Sequence, residues 1–205
     1  MEPFTTLTST ALRIDGRNID TDQIIPARFL RHPRKEGYAG FLFHDLRFDG
    51  DGNPIARFAL NRVENQAARI LVTGDNFGCG SSREGAVYAL LDYGFRCVIA
   101  PGFGDIFRTN CYKNGILPIA LPADAIERLL ADATPGQPPV LVVDLARQAL
   151  TSGAQHAAFD IAPFWKECLL TGADDIDITL RHRAGIEAFT AAHFARHPWI
   201  APSAG

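Results

Sequence analysis

A glycine-rich stretch at residues 74–85 holds the side chains with the clearest chemical potential in this sequence. Two adjacent hydroxyls and a guanidinium, those of Ser81, Ser82 and Arg83, follow closely spaced glycines. An apolar run precedes the stretch and apolar residues at helical spacing follow it at 86–93, which predicts a strand, a loop and a helix. Unpaired backbone N–H groups and the positive end of the dipole favour an anion at a helix N-terminus. The stretch therefore predicts a site for a small carboxylate or phosphate.

The commoner glycine-loop motifs do not fit this stretch. A dinucleotide fingerprint needs glycine where Arg83 stands, and a P-loop needs a Gly-Lys-Ser/Thr sequence that is missing. A hydrolase nucleophile elbow needs glycine two residues before and two residues after the serine, and neither serine has both. The plainer interpretation is a tight turn in which Ser82 caps the helix and Glu84 lies in its first turn.

A second polar segment, at residues 18–26, places Asp20 and Asp22 on either side of a threonine, ahead of an apolar pair and a proline. One interpretation is an Asx-type turn, since Asp and Asn favour local hydrogen bonds to the backbone. The other places Asp22, together with Asp20, beside the serine loop, where a carboxylate would orient a cation or a catalytic group.

Residues 27–57 are rich in charges, aromatic side chains and glycines, and we expect a mobile substrate loop with a short helical turn at 41–46. Mobile loops that carry several arginines often close over acidic ligands. Arg31 is the substrate-binding candidate in this segment. A merely solvated loop is the alternative for any single arginine here.

Length and charge limit the classes of function. A chain of 205 residues suits one domain with a sizeable core. A formal net charge of −3 argues against a nucleic-acid partner, because such partners require a positively charged surface. No apolar run approaches bilayer length and the N-terminus lacks a signal-peptide core, so we expect a cytoplasmic protein without membrane contact.

The four cysteines show no C-x-x-C pairing, which argues against a zinc site. Cys97 lies in an apolar run and is interpreted as a core strand residue. Cys79 lies in the polar loop, where it could be a nucleophile, an iron ligand, or simply a small residue between two glycines.

Strand, turn and helix signals alternate over residues 70–121, which predicts an α/β fold with right-handed crossovers. A first strand is expected to end near Ile14. The remaining elements are predicted as a helix at 105–114 ended by Gly115, a strand at 116–121, a helix at 122–132, a linker at 134–139, a strand pair at 140–145 and 149–150, helices at 159–171 and 174–196 with a break at Gly185, and a frayed end at 198–205.

Three sequence blocks together resemble the small subunits of isopropylmalate isomerase (3-isopropylmalate dehydratase) in the aconitase superfamily. They are Asn-Ile-Asp-Thr-Asp-Gln-Ile-Ile-Pro at 18–26, Asn-Phe-Gly-Cys-Gly-Ser-Ser-Arg-Glu at 76–84, and Asp-Ile-Phe through Asn-Gly-Ile-Leu-Pro at 105–118. The resemblance implies one swivelling β/β/α domain over 1–205, as in the aconitase C-terminal domain, with a C-terminal helical segment at 159–197. It also implies that the domain is one half of a heterodimer whose large subunit holds a [4Fe–4S] cluster, while this chain holds none.

The resemblance further implies the roles of individual residues. Ser81 matches the catalytic base and Arg83 matches the residue that binds a substrate carboxylate. Ser82 would bind substrate and add hydrogen bonds in the loop, and Asp22 would lie at the site as a second catalytic residue. A serine hydroxyl needs a water-poor loop, backbone donors and a nearby guanidinium to act as a base, and the cluster iron would act as a Lewis acid on the leaving hydroxyl.

The sequence departs from the resemblance just after the serine loop. Typical members continue with His-Ala-Pro-Trp-Ala-Leu, whereas this chain has Gly-Ala-Val-Tyr-Ala-Leu at 85–90. The expected reaction isomerises 2-isopropylmalate to 3-isopropylmalate by dehydration and rehydration in leucine biosynthesis. The alternatives are the same mechanism on another methyl-branched hydroxy diacid, such as 2-methylmalate, a non-catalytic module that binds small anions, and a thiol enzyme that uses Cys79.

Overall fold

The computed structural model describes residues 1–134 and 136–200. Within them the chain forms seven strands, which are β1 Thr6–Ile14, β2 Ile70–Thr73, β3 Cys97–Ala100, β4 Leu117–Ala120, β5 Val140–Asp144, β6 Ala149–Ser152 and β7 Gln155–Ala158. The α-helices are α1 Thr21–Ile24, α2 His44–Arg47, α3 Glu84–Tyr93, α4 Asp105–Lys113, α5 Ala123–Leu129, α6 Pro163–Thr171, α7 Asp175–Leu180 and α8 Arg183–Arg196. No helix in the described parts of the chain is both long and apolar enough to cross a membrane.

The strands form one sheet in the order β4-β3-β2-β1-β5-β6-β7. The half from β4 to β1 is parallel, and the half from β5 to β7 is antiparallel. Strand β1 belongs to both halves, because its first five residues pair with β5 and its last four pair with β2. The parallel half brings the carboxyl ends of β1, β2 and β3 to one edge, and ligands of open α/β sheets bind outside that edge.

Both faces of the parallel half are buried. Side chains alternate between faces along a strand, so Leu71 packs into one apolar cluster with α3 whereas Ile70 and Val72 pack into another with α5 and α6. All four residues of β2 and all four of β3 are buried. Burial on both sides explains why these strands read as continuous apolar runs in the sequence. The predicted α/β fold is confirmed.

Residues 27–57 run over the α3 face as short helical turns. Leu42 and Phe43 are fully buried there, and the Phe43 N–H donates to the Ile24 carbonyl at 2.8 Å. The predicted helical turn at 41–46 lies slightly later, as α2. The mobility of this segment stays a prediction.

The C-terminal part differs from the sequence prediction in three places. Strand β7 was not predicted, since its residues are only half-buried or exposed. The predicted helix at 159–171 begins at Pro163, because Phe159 and Ile161 are buried on the α5 face before the helix and proline is favoured at its first position. The helical break falls between α7 and α8 at residues 181–182, and Gly185 stays inside α8. Of the predicted frayed end, Pro198–Ile200 forms a short 3-10 turn and 201–205 lie outside the described residues.

The four cysteines occupy two kinds of environment. Cys97, Cys111 and Cys168 are buried, and burial raises the pKa of each of these thiols. Cys79 is only partly buried in the serine loop. A thiol reacts as its thiolate, so burial protects the first three.

We expect one fast-reacting thiol in the folded chain. Disulfide-exchange titration with Ellman's reagent should label Cys79 first, and the other three only after denaturation. The variant Cys79→Ser should show no fast phase. Rapid labelling of two or more thiols in the native protein would contradict the burial described above.

Candidate functional site

The serine loop lies between two other loops at the carboxyl edge of the parallel strands. On one side, the Gly78 N–H donates to the Ile19 carbonyl at 2.8 Å, and the Thr21 N–H donates to the Cys79 carbonyl at 3.0 Å. On the other side, the Phe77 N–H donates to the Gly102 carbonyl at 3.0 Å. These bonds continue the parallel pairing beyond the strands, so the three sequence blocks at 18–26, 76–84 and 105–118 meet at one place.

Two glycines allow this close approach. Gly78 has φ +72°, and a Cβ atom on it would overlap the ring of Phe107. A Cβ atom on Gly104 would lie 2.6 Å from the Gly78 carbonyl oxygen. A larger residue at either position would push the serine loop away from the first turn of α4.

Ser81 lies on the exposed surface of the loop. A shallow cavity of about 250 Å³ is lined by residues 78–81 and 104–107, so Ser81 borders an open space between the serine loop and α4. The Ser81 carbonyl accepts hydrogen bonds from the Thr21 hydroxyl at 2.9 Å and from the Arg83 N–H at 2.7 Å. The backbone on which the Ser81 side chain stands is therefore held from two directions.

The interpretation of Ser82 as the helix cap is wrong. The N-cap of α3 is Arg83, whose backbone is still extended, and no side chain caps the helix there. Glu84 lies in the first turn as predicted. Ser82 is exposed, and its hydroxyl makes no hydrogen bond with another residue in the described part of the chain.

Arg83 forms an ion pair with Asp22, the second aspartate of the 18–26 segment. The Arg83 side chain is 20% exposed and that of Asp22 is 53% exposed, so the pair lies at the rim of the loop. The hydrogen bond from Arg83 holds the pKa of Asp22 below its usual value, and a donated hydrogen bond from the Ala27 N–H adds to this effect. Asp20 instead caps α1 through a capping box with Gln23.

Arg31 is not brought into this group by any observed contact. It ends the 3-10 turn Ala27–Arg31 and is exposed, without an ion pair to any described residue. Its neighbour Leu30 packs against the first turn of α3, where the Leu30 Cδ2 lies 2.5 Å from the position of a Cβ atom on Gly85. The packing of Leu30 therefore holds the loop against α3 at the residue next to Arg31.

The departure at 85–90 has a structural explanation. Leu30 and Tyr38 occupy the space beside Gly85, so a side chain at this position would require Leu30 to move. Tyr88 packs with its ring 4.6 Å from the Arg34 guanidinium and 6.2 Å from the Tyr38 ring. Two of the substituted positions, 85 and 88, thus form part of the surface against which residues 30–38 pack.

Two contacts of the site were missed by sequence reasoning. The sequence marks Thr21 only as the residue between two aspartates, but its hydroxyl holds the serine loop. The Asn114 amide donates to the Glu84 carboxylate at 2.9 Å and joins the end of α4 to the start of α3. Both join segments distant in sequence, and their only sequence signal was membership of the three blocks.

No metal site was found among the described residues. In 1–134 and 136–200 no three or more His, Cys, Asp or Glu side chains converge in a way that could hold a metal ion. The cysteines in particular are divided between the loop and the buried core.

Comparison with known proteins agrees with these features. The model of the aconitase C-terminal domain matches residues 1–124. The chain is 47% identical to the 3-isopropylmalate dehydratase small subunit of Paramagnetospirillum magneticum, over 98% of this chain and 100% of that protein. It is 50% identical to the 3-isopropylmalate dehydratase small subunit of Rhodospirillum centenum, over 97% of this chain and 98% of that protein.

A solved structure shares the fold. The crystal structure of 3-isopropylmalate dehydratase from Methanocaldococcus jannaschii aligns with a TM-score of 0.64 at 24% identity, over 90% of this chain and 99% of that chain. The three meeting loops, the family model and the near-complete coverage of these relatives lead to one assignment. The chain belongs to the 3-isopropylmalate dehydratase small subunit family and carries its aconitase C-terminal domain fold.

Proposed function

We propose that this protein is the small subunit of a heteromeric hydro-lyase that isomerises 2-isopropylmalate to 3-isopropylmalate in leucine biosynthesis. The observation that carries this proposal is the identity of 47–50% to curated small subunits of that enzyme over 97–98% of this chain. In the reaction, 2-isopropylmalate loses water to give an unsaturated diacid. Water then adds back with its hydroxyl on the adjacent carbon.

The geometry of the serine loop supports the roles of two residues. Arg83 lies at the rim with a side chain that is 20% exposed, and the fork of donors of its guanidinium matches a substrate carboxylate. Ser81 lies two residues earlier beside an open cavity. Its oxygen, as the alkoxide, would take the proton from the carbon next to that carboxylate and so become the hydroxyl. Asp22 keeps Arg83 oriented, and Ser82 and Arg31 are further candidates for substrate contact.

The exposure of Ser81 supports a partner that closes the site. A serine base requires exclusion of water, and in this chain the loop faces an open surface. The proposed partner is the large subunit, in a heterodimer, and it holds a [4Fe–4S] cluster that supplies a Lewis acid when the two subunits meet. We also propose a cytoplasmic location, since the substrates are small soluble acids.

A related substrate is the second candidate. Gly85 and Tyr88 stand where typical members have histidine and tryptophan. Their contacts with Leu30 and Arg34 support the loop at 27–57. That loop, with Phe29 and Leu30, is expected to face the variable group of the substrate. A smaller methyl-branched acid such as 2-methylmalate would use the same Ser81 and Arg83.

A reconstituted complex tests the substrate. The chain is co-expressed with a candidate large subunit, iron is restored without oxygen, and alkene absorbance is followed with 2-isopropylmalate and with 2-methylmalate. We expect turnover of the isopropyl acid. Turnover of the methyl acid alone would favour the second candidate, and turnover of neither by an intact complex would contradict the proposal.

Serine variants test the roles within the loop. Ser81→Ala should lower kcat at least about 100-fold, because the proton acceptor is lost. Ser82→Ala should keep most of kcat, since that hydroxyl binds and does not take a proton, and Cys79→Ser should be active. An active Ser81→Ala variant together with an inactive Cys79→Ser variant would establish the thiol mechanism instead.

The variant Asp22→Asn tests the orientation of Arg83. We expect KM to rise about two- to fivefold with a smaller change in kcat, the range typical of exposed ion pairs. Asp124→Asn is the matched control, because Asp124 also pairs with an arginine and also has a lowered pKa.

The pH profile adds a second readout of the same pair. A lowered pKa means that the ion pair is present above the usual aspartate value of 3.8 and is lost only as the pH falls through the folded value below it. The Asp22→Asn variant should therefore leave the shape of the activity profile unchanged between about pH 5 and pH 9. Loss of an ionisation in that range would contradict the assignment.

The isolated chain should be colourless, free of iron and inactive, because its cysteines do not converge on one site. Visible absorbance and iron analysis of the purified chain measure this directly. A stoichiometric cluster on the isolated chain would contradict the division of roles between the subunits.

A further inference from the structure

The serine loop contains two glycines in the left-handed conformation, one on either side of Cys79. Gly78 and Gly80 have φ values of +72° and +86°, which glycine adopts at low cost. A group that takes a proton must be held within about 0.5 Å of its productive position. Ser81 follows Gly80 directly and is exposed, so its position depends on what holds the peptide groups around it.

Thr21 contacts the peptide group before Gly80 and the peptide group after Ser81. Its N–H donates to the carbonyl of Cys79 at 3.0 Å, and its hydroxyl donates to the carbonyl of Ser81 at 2.9 Å. Thr21 is 1% exposed, so neither bond competes with bulk water. A single residue thus holds the loop on both sides of Gly80.

Thr21 is itself held firmly. It opens α1, which is capped by Asp20 and Gln23, and its carbonyl accepts a hydrogen bond from the Ile25 N–H at 3.0 Å. Ile24 and Ile25 are fully buried in the cluster under α3. The short helix is therefore anchored in the core and can position the serine loop above it.

Asp22, the residue after Thr21, contacts a different part of the serine loop. Asp22 pairs with the Arg83 side chain, whereas Thr21 binds the Ser81 backbone. We infer that Thr21 is a positioning residue that sets the place of the Ser81 hydroxyl, separately from the carboxylate-binding Arg83. This inference rests on the proposed function, in which Ser81 is the base and Arg83 binds substrate.

Three variants in the reconstituted complex test it. Thr21→Val keeps the shape of the side chain and removes the hydroxyl, whereas Thr21→Ser keeps the hydroxyl. Thr171→Val is the matched control, because Thr171 also donates to a backbone carbonyl, that of Glu167 at 2.7 Å, but on α6. The measurements are kcat and KM for the acid that the wild-type complex turns over, with circular dichroism and gel filtration for folding and assembly.

Thr21→Val is expected to lower kcat about 10- to 100-fold, the loss typical of a misplaced catalytic group. KM should stay within about twofold, because Arg83 keeps its partner. Thr21→Ser and Thr171→Val should both retain the wild-type kcat. Recovery by serine separates loss of the hydroxyl from a general effect on the fold.

If the wild-type complex is active and the Thr21→Val variant has the same kcat, the inference about Thr21 is wrong and the proposed function stands. A wild-type complex that turns over neither diacid would overturn the proposed function and this inference with it. If Thr21→Val does not assemble, Thr21→Ala is measured in its place, with the same expected loss of kcat. Failure of both to assemble would show a structural role only and would also overturn the inference.

Discussion

The site depends on backbone hydrogen bonds between loops that extend the parallel sheet beyond its strands. These bonds join the segment at 18–21 to the serine loop, and the serine loop to the segment at 102–104. Backbone groups can meet at this distance only where side chains do not intervene, which is why Gly78 and Gly104 have no room for a Cβ atom. Unpaired buried backbone groups would be costly, so the three loops stabilise one another as well as the site.

In this arrangement the apolar core and the polar loops have separate roles. The core of the domain is formed by apolar strands with fixed register, and it supplies rigidity but no chemistry. The polar side chains stand on the loops just outside the strands, and a short helix, α1, lies between core and loop. The ion pair of Arg83 with Asp22 is at the rim, where a carboxylate of a ligand could replace or share the contact. The domain thus presents these charged groups on an open surface, which a partner subunit could cover to form a closed site.

Much of this was accessible from the sequence, for identifiable reasons. Strands β2 and β3 were predicted because they are buried on both faces, and the position of Ser81 and Arg83 between a strand and a helix followed from the same pattern. Other features depend on contacts between distant segments. The hydroxyl of Thr21 and the packing of Leu30 over Gly85 have no local signature, and β7 is too exposed to show apolar alternation. Ser82 has the type of a good cap, but the backbone of Arg83 is still extended at that point, so the cap falls one residue later.

The divided pairing of β1 has a consequence for how the chain acquires its fold. The last four residues of β1 find their partner at 70–73, but the first five need β5, and Thr6 pairs with Asp144. During synthesis the parallel half can form while the antiparallel half has not yet emerged from the ribosome. Until then the start of β1 is an open edge of the kind that pairs with foreign strands. Closure of this edge is a long-range event, and such contacts slow folding. The strand that supports the site therefore keeps one open edge until residues 140–144 have been made.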